Sequence, residues 1–117
     1  IKATNIKGEN LNINGKVHVL ENVNCDTLKF DINSKSFIAN IEGSKVEVKI
    51  DKKRKYYLKT NSISADDIDL EYCICEEVSG DKVKIGKGCK IKHVSYITHL
   101  EVDKDAEVKS SEKIISR

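Results

Sequence analysis

Ile63-Ser64-Ala65-Asp66-Asp67-Ile68-Asp69-Leu70 is answered fifteen residues later by Val78-Ser79-Gly80-Asp81-Lys82-Val83-Lys84-Ile85. In both stretches an aliphatic residue is followed, after a gap of four, by two apolar residues that flank a single polar one. The same unit stands upstream as Ile6-x4-Leu11-x-Ile13, Val23-x4-Leu28-x-Phe30 and Ile41-x4-Val46-x-Val48. Its third position is small: Gly8, Cys25, Gly43, Ala65 and Gly80. From one start to the next, and on to Val94, the intervals are 17, 18, 22, 15 and 16 residues. A unit of this length cannot bury its own apolar face, so copies must stack, and stacked copies make a solenoid.

Each unit alternates apolar and polar residues, as in Val46-Glu47-Val48-Lys49-Ile50, which is strand patterning. No window holds an apolar stripe at helical spacing for three turns. Asn14-Gly15, Asp66-Asp67 and Gly86-Lys87-Gly88 punctuate the units as corners. The spacing therefore predicts an all-β fold, a parallel β-helix of about six to seven rungs, with residues 1–117 forming one domain.

Two stretches depart from the period. The 22-residue interval contains Asp51-Lys52-Lys53-Arg54-Lys55-Tyr56-Tyr57, read as a basic corner loop near 51–57 that protrudes from the stack. The unit from Val94 to Leu100 and Val102 carries one extra residue around Tyr96-Ile97-Thr98-His99, which predicts a bulge. From about Lys109 the pattern lapses, so the C-terminus is expected to fray.

Composition narrows the function classes. With 38% apolar and 34% charged residues and a net charge of +2, the chain carries no strong field for nucleic acid, and none is expected as a partner. No stretch approaches the roughly 20 apolar residues of a membrane-spanning helix. The chain begins at Ile1, which leaves open what precedes it. The cysteines Cys25, Cys73, Cys75 and Cys89 lack the spacing of a secreted disulfide framework and are read as reduced thiols of a cytoplasmic protein.

The order from Asn61 to Ile114 resembles the C-terminal part of bactofilin-like, polymer-forming cytoskeletal proteins of Gram-positive bacteria. The Gly80-Asp81-x-Val83-x-Ile85-Gly86-x-Gly88-Cys89 run is its most distinctive motif, and Ile41-Glu42-Gly43-Ser44-Lys45-Val46-Glu47-Val48 resembles the preceding rungs. The resemblance implies a right-handed β-helix that polymerises end to end without nucleotide. It further implies a cytoplasmic scaffold that associates with the membrane surface and with cell-envelope proteins. It supplies no catalytic residue and no cofactor.

Other chemistries are weaker readings of the same residues. Ile85-Gly86-Lys87-Gly88-Cys89-Lys90-Ile91 fits one turn of the hexapeptide repeat of acyltransferases, but those enzymes need many consecutive hexads and a histidine general base. His18, His93 and His99 stand in no such motif, so an enzyme is not expected. Cys73-Ile74-Cys75 with Cys89 and His93 could hold zinc. Repeat alignment instead makes the thiols inward-facing members of the core, with Cys73 and Cys89 on adjacent rungs and Cys75 beside Ile91. The candidate surface contact is Lys52, Lys53, Arg54, Lys55, Tyr56 and Tyr57, a basic and aromatic cluster suited to an anionic membrane or a protein partner. A non-polymerising binding module built on that loop is the second reading.

Overall fold

The computed structural model describes residues 2–14, 18–32, 35–50 and 56–116. They form eight strands: β1 (Lys2–Asn14), β2 (His18–Ile32), β3 (Ser36–Glu42), β4 (Lys45–Ile50), β5 (Leu58–Leu70), β6 (Cys73–Ile85), β7 (Lys90–Val102) and β8 (Glu107–Lys113). β2 pairs with β1 on one side and with β3 and β4 on the other; those two pair with β5, and the order continues β5-β6-β7-β8, parallel throughout. The architecture is a parallel β-solenoid.

The long strands are not straight, and the inward residues show where they turn. Along β6 the buried positions are Cys73 and Cys75, then Val78 and Gly80, then Val83 and Ile85. Between these pairs stand two successive outward residues, Glu76-Glu77 and Asp81-Lys82. A strand places alternate side chains on opposite sides, so two in a row can both face outward only where the chain bends. β5 repeats the arrangement with Leu58 and Thr60, Ile63 and Ala65, Ile68 and Leu70. Each layer therefore has three short faces, called first, second and third below, and the inward residues of all three meet in one core.

Pairing register lines those residues into columns. On the second face Ile6, Val23, Ile41, Ile63, Val78, Val94 and Ser111 stack in successive strands. This column contains every repeat start read from the sequence. On the third face Ile13, Phe30, Val48, Leu70, Ile85 and Val102 follow one another. Layers about 4.8 Å apart put β-branched neighbours in van der Waals contact, which is what such side chains favour in sheets. The expected bulge is present: Gly80 pairs with Tyr96 and Lys82 with His99, so Asp81 is opposed by Ile97 and Thr98.

Corners are held by the layer beneath. Tyr72 takes a left-handed backbone (φ 49°), donates its N–H to Lys87 O at 3.0 Å and accepts from Leu58 N at 3.1 Å. Gly88 (φ 76°) lies against the Tyr72 ring, where an added Cβ would fall 2.6 Å from Cδ1. That approach requires glycine.

Where the sequence pattern lapses, at about Lys109, the chain lies in β8. Lys109 to Lys113 belong to β8, with His93 paired to Ser110 and Tyr96 to Lys113. Among the described residues β8 pairs with β7 alone, and a strand can form through backbone pairing without apolar alternation. Residues 51–55 of the basic corner lie outside the described residues.

Candidate functional site

The two ends of the stack are its least complete surfaces. β8 covers only the Lys90–Tyr96 part of β7. The following stretch, His99–Val102, pairs with β6, and no other strand pairs with it among the described residues. Leu100 is half-buried there and Val102 is 42% exposed. Ile115, just beyond β8, is 97% exposed. At the other end β1 pairs with β2 and with no other strand among the described residues, and Ile6 and Leu11 pack on the core. Such ends present unpaired strand backbone beside an incompletely covered apolar layer, the combination that accepts another strand.

The cysteines lie where repeat alignment places them. Ile74 pairs with Lys90 and Cys75 with Ile91, which sets Cys73, the first residue of β6, level with Cys89, the residue directly before β7. All three of Cys73, Cys75 and Cys89 are buried, and no disulfide joins them. The Cys75 thiol donates to Glu77 O at 3.1 Å. Burial pushes the Cys75 thiol up to about 12 and Cys89 to about 11, and holds Cys73 well above its ordinary range. These thiols are protonated core side chains rather than nucleophiles. Among the described residues no group of three or more His, Cys, Asp and Glu side chains is placed to hold a metal ion.

Of the candidate surface contact, Lys52, Lys53, Arg54 and Lys55 lie outside the described residues. Tyr56 and Tyr57 lead into β5 and are half-buried. Tyr56 packs against the core, and the Tyr57 ring sits 5.5 Å from that of Tyr72 at 59°. The Tyr57 ring is thus tied to the corner at Tyr72.

Two outward features go beyond what the sequence reading identified. The first is a polar ladder at the corner between the first and second faces: Asn5, Asn22, Asn40, Ser62, Glu77, His93 and Ser110 stack in register. Asn40 Nδ2 donates to Asn22 Oδ1 at 3.2 Å, Ser62 Oγ donates to Asn40 Oδ1 at 2.7 Å, and His93 Nδ1 lies 2.7 Å from Ser110 Oγ. These bonds tie layers together where no apolar residue can. Their sequence signal is a polar residue directly before each repeat start.

The second is a groove of about 410 Å³ on the outside of the first face, with Lys59, Lys90, Lys92 and Lys109 on its walls around Ile74. Another of about 410 Å³ lies on the second face around Asn24, Cys25, Asp26 and Glu42. Cys25, half-buried there, has its thiol raised by burial and by the neighbouring Asp26 charge.

Among the described residues no helix is long and apolar enough to cross a membrane. Comparison with protein-family models, with curated proteins and with solved structures yields no match to this chain.

Proposed function

We propose that this protein is a self-associating structural scaffold of the bactofilin type. In this reading the solenoid is right-handed, has six to seven rungs, and stacks end to end on other copies without nucleotide, cofactor or catalysis. The observation that carries the proposal is the open C-terminal layer. β7 offers His99–Val102, an edge that no strand pairs on that side among the described residues, beside Leu100 and the exposed Val102. A second copy can supply both the missing backbone partners and the missing apolar cover. Its setting is the cytoplasm, at the membrane surface and beside cell-envelope proteins.

Sedimentation velocity over a wide concentration range, with negative-stain electron microscopy, tests this. The parent chain should form elongated assemblies that grow with concentration. Val102→Asp should shorten them, while the unfolding free energy of the monomer moves by less than about 0.5 kcal/mol, because the side chain is already exposed. A parent chain that stays monomeric at every concentration, in a form including any native flanking segments, would sink the proposal.

A further inference from the structure

The charges of this nearly neutral chain are sorted by face. Outward positions of the first face over β5 to β8 carry four lysines, Lys59, Lys90, Lys92 and Lys109, against two glutamates, Glu76 and Glu107. Only Lys92 is ion-paired, with Glu76 at 3.4 Å; Lys59, Lys90 and Lys109 make no ion pair among the described residues.

The second face is the reverse. One lysine, Lys7, stands among the outward carboxylates Glu9, Asp26, Glu42, Asp66, Asp81 and Glu112. Of these Glu9, Asp26 and Glu42 make no ion pair among the described residues. Between the Glu42 and Glu112 positions the column is Ser64, Ser79 and Ser95, small side chains that leave the surface low.

The third face shows what a self-neutralised surface looks like in the same molecule. There Lys45, Asp67 and Lys82 alternate across β4, β5 and β6, and Lys49 Nζ lies 2.9 Å from Asp69 Oδ2. Its partners are on its own face. On the first and second faces Lys59, Lys90, Lys109, Glu9, Asp26 and Glu42 have no ion-pair partner of their own among the described residues.

We propose that the basic first face of one copy docks side by side on the acidic second face of another. The lysine groove around Ile74 would receive the outward carboxylate column of its neighbour. The contact joins two different patches, so it is heterologous and repeats from copy to copy unless the rotation closes a ring. It is lateral, and it goes beyond end-to-end stacking, which uses the ends and not the faces. Complementary charge of this kind sets partner choice, register and association rate, and it weakens as salt screens it.

The experiment uses the full chain and two charge-inverted variants: Lys90→Glu with Lys109→Glu, and Asp26→Lys with Glu42→Lys. Circular dichroism melts establish that each folds. Lateral association, read by light scattering and by filament width in electron micrographs, should fall about tenfold or more for the parent between ~0.05 M and ~1 M salt, as the screening length drops from over 10 Å to about 3 Å. Each variant alone should lose it, and mixing the two should restore it, since the acidic first face of one then meets the basic second face of the other. Val102→Asp should leave the side-by-side contact intact, so the lateral and end-to-end readings fail separately. Salt-insensitive association, or a mixture that does not recover, overturns the proposal. So does a first-face inversion that abolishes binding to anionic phospholipid vesicles while association between copies is unchanged.

Discussion

Replacing Gly86 by alanine tests whether the corners rest on the layer beneath. Gly86 N donates to Leu70 O at 2.7 Å, and an added Cβ would lie 2.5 Å from that same oxygen and 3.1 Å from Glu71 Cγ. Carbon–oxygen contacts settle at about 3.3 Å or more, so the corner must lift by roughly 0.8 Å. Backbone cannot swing aside as a side-chain tip can. The lift lengthens the Gly86–Leu70 hydrogen bond and strains the neighbouring core, where Ile85 is fully buried. Overpacking of this kind costs about 1–3 kcal/mol and the weakened hydrogen bond about 1 more. The stiffer unfolded chain returns about 0.4–1 kcal/mol. The net expectation is a loss of about 1–3.5 kcal/mol, read as the shift in urea unfolding followed by circular dichroism. Gly8→Ala is the control: its Cβ would meet Leu11 Cδ2 at 2.7 Å, a movable side-chain end on an exposed outer strand. Its change should stay within about 1 kcal/mol, of either sign. Equal effects at the two glycines would refute the reasoning.

The remaining predictions concern the thiols and the polar ladder. Cys89→Ser should destabilise by about 1–3 kcal/mol, because it buries a hydroxyl where a thiol sat, and a thiol reagent on the native parent should modify Cys25 well before Cys73, Cys75 or Cys89. The buried thiols have folded pKa values above their ordinary 9.0, with Cys75 at about 12 and Cys89 at about 11. Their contribution to stability is therefore complete below about pH 9 and is lost as pH rises towards those values. The urea midpoint should fall across that window, and less steeply in Cys75→Ala; an unchanged slope would place the thiol outside the core. Asn40→Ala removes the bonds to Asn22 and Ser62 and should cost about 1–2 kcal/mol in the same assay, against less than about 0.5 kcal/mol for Asn5→Ala on the outermost strand.

The period of apolar residues determined the stacking. Ile6, Val23, Ile41, Ile63, Val78 and Val94 can be read as repeat starts because each must face a shared core, and the same requirement puts them in one column. The inward place of Cys73, Cys75 and Cys89 and the bulge beside Asp81 follow from the same count. Burial is a demand that every layer makes alike, so it writes itself periodically along the chain. The outward residues obey no such demand. Lys59, Lys90, Lys92 and Lys109 look scattered in sequence, because layers of unequal length separate them by irregular intervals, and only the pairing register gathers them on one face. The open edge of β7 is likewise a property of where the last strand stops, which backbone pairing decides and side-chain pattern does not. Lys109 to Lys113 illustrates this: a stretch with no apolar alternation becomes a strand because β7 offers it a complete row of hydrogen-bonding partners.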